Sequence, residues 1–243
     1  MCDFKYWYLN YNMAKKLYVE HLLEKWGADI KKGGICRAYR RYTSFDYCYG
    51  YFYKHHKDAK YFALKQNIEK SCLHLGFYLA SWGMYRGSTK LLQTSFKVYE
   101  PLIKGVIAKQ GREAWEIDVC NYEENMRRLA KLHNSISKVL NKILNEDPSE
   151  TLISKIMLGI FGCVPAFDTN VQKGLKRAGE SYHKSFEQNI SAIERIYMAN
   201  KAKIDRASNR YRVLNFETGR QSTKYYTKTK IIDMVLFELG KIK

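Results

Sequence analysis

Residues 150–161, ETLISKIMLGIF, constrain the fold of this chain more than any other stretch. Pro148 and Ser149 supply a helix start, and apolar side chains then occupy most faces of the segment. A helix without a broad polar face exposes too much apolar surface to lie on the outside of a protein. Other elements have to enclose it, so the segment predicts a central helix. Only three prolines occur, Pro101, Pro148 and Pro165, and so few breakers favour helices throughout.

The remaining segments agree with a helical shell. Residues 122–145 carry Met126, Leu129, Leu132, Ile136, Val139 and Leu140 as one stripe, continued by Ile143 and Leu144, with Lys and Arg opposite. Ile68, Cys72, Leu75 and Leu79 share a helical spacing, as do Phe186, Ile190, Ile193 and Tyr197 within 182–204. Residues 13–26 read as an amphipathic helix, and Thr43 or Ser44 as the cap of a short helix ending near Tyr53. Ser88 reads as the cap of a segment restarting at 88–110, where Pro101 introduces or bends a helix. The end of the chain, YTKTKIIDMVLFELGKIK, predicts a capped apolar helix, whereas 205–224 reads as a loop or a short strand pair. The expected fold is all-α, with about eight to ten helices in a globular multi-helix domain, two lobes and a basic cleft between them.

Lys plus Arg total 42 and Asp plus Glu 24, a net charge of +18, alongside 20 tyrosines. Such a surface attracts polyanions and releases counterions on binding. Basic and aromatic residues together suit sugar–phosphate backbones and unstacked bases, so a nucleic acid is the expected partner. Anionic membrane surfaces rank second. The six cysteines, Cys2, Cys36, Cys48, Cys72, Cys120 and Cys163, show neither C-x-x-C pairing nor zinc spacing with histidines. With no long apolar run and no leader-like N-terminus, the expectation is a cytoplasmic monomer with free thiols, no membrane span, no metal and no cofactor. Phosphate loops, H-E-x-x-H and G-x-S-x-G are all lacking, which removes the common nucleotide-binding, zinc-protease and serine-hydrolase constellations.

One junction remains, GIFGCVPAFDTNVQKGL at 159–175: apolar helix, glycine, proline loop, a carboxylate at Asp168, then a polar helix. Two readings of Asp168 stand. In one it is an N-cap whose oxygen accepts the free amides of the next helix. In the other, Thr169 and Gln172 form a capping box without it, leaving the carboxylate free to face a cleft in its ionised form.

The stretch IMLGIFGCVPAFDTNV resembles the helix-hairpin-helix DNA glycosylases where an apolar helix leads to the catalytic aspartate. Asp168-Thr169-Asn170-Val171 matches that step with Asn170 where the family carries histidine. Residues 75–92, LGFYLASWGMYRGSTKLL, resemble the family's early buried helix and the loop that inserts side chains near a flipped base. KIIDMVLFELG resembles its last helix. There are departures. The hairpin equivalent, LNEDPSETLI, has no glycine, Lys155 lies at a different spacing from the family's lysine nucleophile, and no cysteine follows Cys163 to hold a cluster.

The resemblance implies a glycosylase-like core over 67–243 behind a tyrosine-rich, basic helical segment over 1–66. It implies a single-function enzyme that hydrolyses the N-glycosidic bond of a flipped, damaged or modified base, with Asp168 as its carboxylate. Trp82, Tyr85, Arg86 and Phe167 become candidates for the base pocket or for intercalation. Lys155, Lys173, Arg37, Arg40, Arg41 and Arg210 become candidates for contacts to the backbone of double-stranded DNA. Excision from foreign DNA, as antiviral defence, is one setting for such chemistry. The alternatives are a charge-driven DNA- or RNA-binding protein without catalysis and, more remotely, a nuclease.

Overall fold

A computed structural model of the chain describes residues 21–22, 37–87 and 89–242. The helix expected at 13–26, the Ser88 cap, Cys2 and Cys36 fall outside the described residues, apart from two helical positions at His21 and Leu22. Among the described residues are eight α-helices: α1 (Ser44–Lys54), α2 (Ile68–Ser81), α3 (Glu100–Gly105), α4 (Tyr122–Leu144), α5 (Glu150–Phe161), α6 (Thr169–Arg177), α7 (Phe186–Ser208) and α8 (Lys228–Lys241). The only sheet among them is one antiparallel pair, β1 (Arg212–Leu214) and β2 (Gln221–Tyr225).

The apolar helix is where its composition requires. Every residue of α5 from Leu152 to Phe161 is buried, and α1, α2 and α4 pack around it. Ser149 caps it, its hydroxyl accepting the Leu152 amide. Such a cap contributes about 1 kcal/mol. Each fully buried Leu, Ile or Phe contributes roughly 1.5–3 kcal/mol, so burial outweighs capping in holding α5 at the centre. The α4 stripe is also inward, with Leu129, Leu132, Ile136, Leu140 and Leu144 buried.

A single buried cluster runs from Phe45 to Leu236. Phe45, Cys48, Tyr49, Phe52 and Phe62 belong to it, so one core is continuous across the position near residue 66. Residues 90–99 also differ from expectation. They form two 3-10 turns, Lys90–Gln93 and Phe96–Tyr99, before the short α3, because Thr94 and Ser95 between them are extended. The strand pair within 205–224 is present and rests on α1.

Two ties set the geometry around Asp168. The first is the contact of α6 with α8, which meet backbone to backbone at Gly174 and Gly240. A Cβ on Gly174 would overlap the Leu236 carbonyl, and one on Gly240 the Asn170 carbonyl. The second is Asp118, which accepts the Lys228 and Thr229 amides, each at 2.8 Å, and so anchors the start of α8 to the segment ahead of α4.

Candidate functional site

The α5–α6 connection is held along its length. The Phe167 amide donates to Ser154 Oγ at 2.9 Å, and its carbonyl accepts from Thr151 Oγ1 and Gln172 Nε2, each at 2.9 Å. The Ala166 amide donates to Asp233 Oδ1 at 3.0 Å. These bonds satisfy backbone groups that would otherwise be buried unpaired and leave Asp168 little freedom.

Asp168 is the N-cap of α6. Its Oδ1 accepts the amides of Asn170 at 3.0 Å and Val171 at 3.1 Å. The capping box on Thr169 and Gln172 is therefore not formed: the Gln172 side-chain amide reaches the Phe167 carbonyl, and the Asp168 backbone amide donates to Ala166 O. Capping uses only one carboxylate oxygen. Oδ2 lies 3.4 Å from Lys155 Nζ, and the Asp168 side chain keeps 17% of its exposure.

Lys155 comes from the interior of α5, with a side chain only 4% exposed. Its ammonium donates to the Trp82 carbonyl at 2.9 Å and stands 5.7 Å from the centre of the Trp82 ring. Burial pushes its pKa below the ordinary lysine value, an effect that the neighbouring Asp168 opposes. A second Lys–Asp pair, Lys230 with Asp233 at 2.7 Å, is buried more deeply still on α8. Lys230 stands 5.3 Å from the Trp82 ring and 4.5 Å from the Phe45 ring. Tyr78, Trp82, Lys155, Asp168, Lys230 and Asp233 thus border one small internal space.

Asp168 and Lys155 also form part of the wall of an open cleft of about 270 Å³. Trp82 and Phe237 contribute aromatic surface to it, Arg41 and Arg86 contribute cations, and Thr151 and Asn170 contribute hydrogen-bonding groups. Trp82 and Phe237 stand edge to face at 5.8 Å. The Trp82 indole N–H is buried without an acceptor among the described residues. Gly83 allows the turn that presents Arg86: its φ is +77°, and the Arg86 guanidinium folds back to 3.0 Å from where a Cβ would stand.

The structure thus brings together Asp168, Lys155, Trp82, Arg86 and Arg41 from the sequence-derived candidates. Others fall elsewhere. Phe167 is fully buried core beneath the connection, not a cleft wall. Tyr85 bonds its hydroxyl to Tyr99 at 2.7 Å and packs against the core. Arg37 points inward, donating to Tyr226 Oη at 3.0 Å and standing 3.9 Å from the buried Asp46, so it is a structural cation. Lys155 is too buried to serve as an outer phosphate contact. Arg41, Lys173 and Arg210 are exposed, whereas Arg40 is partly buried.

Phe237, Lys230 and Asp233 escape sequence reasoning. Their one signal is a lysine and an aspartate three residues apart inside the apolar run KIIDMVLF, a spacing that sets both on one helix face. Among the described residues no three His, Cys, Asp or Glu side chains group as a metal site, and no helix is long and apolar enough to cross a membrane. Compared with family models, curated proteins and solved structures, the chain matches none.

Proposed function

We propose that the cleft over Asp168 is the base pocket of a DNA N-glycosylase-like enzyme acting on a flipped, damaged or modified base. One observation carries this reading. Asp168 divides its carboxylate, with Oδ1 committed to the α6 amides and Oδ2 3.4 Å from Lys155 Nζ, and both residues line a cleft bordered by Trp82, Phe237, Arg41 and Arg86. The resemblance of residues 156–171 to the helix-hairpin-helix glycosylases points the same way.

The chemistry follows from that division. Breaking the bond between the sugar C1′ and the base nitrogen leaves its electron pair on the base and positive charge on the sugar. A carboxylate oxygen fixed beside C1′ stabilises that charge and orients the water that adds to C1′, and the proton this water loses passes to the departed base nitrogen. Two backbone donors on Oδ1 fix the group before substrate arrives, so it needs no reorganisation when charge develops. Extruding a base costs a few kcal/mol, which stacking against Trp82 and Phe237 offsets. Arg41 and Arg86 suit the flanking phosphates or an electron-rich leaving base.

The test is direct. DNA carrying modified bases, and unmodified DNA, are incubated with the protein and then treated with alkali. Strand breaks that appear only after alkali and vanish in Asp168→Asn support the reading. Tight, salt-sensitive binding without abasic sites supports instead a charge-driven DNA- or RNA-binding protein. One observation favours that second reading: Lys155 lies 3.4 Å from Oδ2 and already counters part of its charge.

A further inference from the structure

The two basic stretches at 37–42 and 206–212 are far apart in sequence, yet a β-hairpin joins them on one face. Arg37 Nη2 donates to the Arg212 carbonyl at 3.4 Å, and Tyr47 Oη donates to the Ala38 carbonyl at 2.7 Å. At the hairpin turn, the Phe216 ring stands edge-on to Tyr47 at 5.0 Å, and Gly219 lies against Ala38. Segment 37–42 then continues to the cleft, where Arg41 borders the opening and the Tyr42 ring lies 5.2 Å from Trp82.

The hairpin and segment 37–42 carry aromatic groups that remain exposed. Tyr39 is 83% and Phe216 70% exposed, and Tyr225 on β2 is exposed as well. Arg212, its cross-strand partner, holds its guanidinium 4.5 Å from the Tyr225 ring and bonds the Tyr225 hydroxyl. Arg210 and Arg220 are exposed beside them. Exposed rings interleaved with arginines offer planar stacking surfaces and forked phosphate donors together. In a regular duplex the base faces are already stacked on each other and give such rings nothing to cover. Unpaired bases do.

We propose that the β1–β2 hairpin and segment 37–42 form a docking ridge for an unpaired stretch of the DNA strand that enters the cleft. Bases stack on Phe216, Tyr225 and Tyr39, while Arg212, Arg220 and Arg41 take the phosphates. The direction of the strand rests on the glycosylase-like reading of the cleft, but the ridge as a single-strand surface is testable without it.

The experiment measures fluorescence anisotropy of labelled oligothymidine, the same strand paired in a duplex, and vesicles of phosphatidylcholine with phosphatidylserine. Wild type binds the single strand more tightly than the duplex. Phe216→Ala and Tyr225→Ala each weaken single-strand binding by about 5- to 100-fold with an unchanged salt slope. Arg220→Gln lowers the salt slope by about 0.7. Thermal midpoints within a few degrees of wild type verify that the variants fold. If one does not, photo-crosslinking of a bromouracil strand to wild type, with the label mapped to 212–225, replaces it.

Wild-type affinity in Phe216→Ala and Tyr225→Ala, a crosslink that avoids the hairpin, equal affinity for duplex, or binding of vesicles but not of the oligonucleotide each overturns the proposal. Single-strand binding lost in the ridge variants, without base release by wild type, leaves the ridge standing and removes the glycosylase. Base release with ridge variants that bind normally does the reverse.

Discussion

Lys155 Nζ sits 3.4 Å from Asp168 Oδ2 at the boundary between the protein core and the open cleft. The lysine is the more buried partner, and it also holds the Trp82 carbonyl. Asp168 is anchored from the other side by two helix amides. The carboxylate therefore caps α6 with one oxygen and meets Lys155 with the other, at the wall of the cleft.

That division separates two substitutions. Asp168→Asn keeps an oxygen to accept the Asn170 and Val171 amides, since Asn caps helices about as well as Asp. Its Nδ2 then replaces Oδ2 beside the Lys155 ammonium, so it should cost about 2–4 kcal/mol through the lost ion pair and abolish base release. Asp168→Ala loses the ion pair and the cap as well, the cap being worth about 1 kcal/mol. Its cost should be about 3–5 kcal/mol. Urea denaturation should rank the midpoints wild type, Asn, Ala; equal midpoints for the two variants would show that Oδ1 does no capping.

Lys155→Met keeps the volume of the side chain while removing a costly buried charge and one hydrogen bond. Asp168 retains its two amide donors and partial solvation. Stability should change by no more than about 1 kcal/mol, whereas Lys155→Ala should cost about 2 kcal/mol or more through the cavity it leaves. Because Oδ1 alone fixes the carboxylate, single-turnover base release by Lys155→Met should stay within about tenfold of wild type, or about 1.4 kcal/mol. A loss as complete as in Asp168→Asn would make Lys155 part of the chemistry.

Gly174 and Gly240 let α6 and α8 touch through their backbones. Alanine at either position meets a carbonyl group on the neighbouring helix, which cannot turn aside as a flexible side chain would. Each substitution should cost about 3 kcal/mol or more, at the upper end for overpacking. Because α6 carries Asp168, base release should fall with it. Chemical denaturation beside the alkali assay checks both.

Asp46 in α1 is buried, and burial raises its pKa from 3.8 to about 6, against the pull of Tyr226 and Arg37. The folded chain thus keeps this proton to higher pH than the unfolded chain does. The contribution to stability is complete below about pH 4 and is lost as pH rises through about 6. Relative to Asp46→Asn, wild type should lose stability across that window by up to about 1.4 kcal/mol per pH unit and level off above it. Subtracting the two unfolding curves isolates this group from carboxylates such as Glu100, whose partners Lys104 and Lys97 hold it low. A flat difference would refute the shift.

Much of the helical framework is legible in the sequence. The α4 stripe, the enclosed α5, the Ser149 cap and the break at Pro148 are local signals, because a helix repeats every 3.6 residues and its ends need donors and acceptors close by in sequence. The 90–99 segment reads as more regular than it is, since alternating apolar residues fit broken 3-10 turns as well as a helix.

The site is less legible. Asp168 stands out along the chain, but which of its oxygens faces where depends on Ser154, Gln172 and Asp233 holding the loop. Arg37 and Arg41, four positions apart in one basic stretch, are alike in sequence; one turns inward to Tyr226 and the other borders the cleft.

The chain by itself determined its helical class, its central helix and the Ser149 cap of that helix, because those follow from periodicity and near-neighbour hydrogen bonding; Thr43, read as a cap of α1, instead bonds the Arg37 carbonyl. Tertiary structure alone decided that Lys155 would meet Asp168, that Phe167 would be core, and that a hairpin would set Arg212 beside Arg37. Such pairings depend on which distant surface covers a side chain, and no local pattern records that.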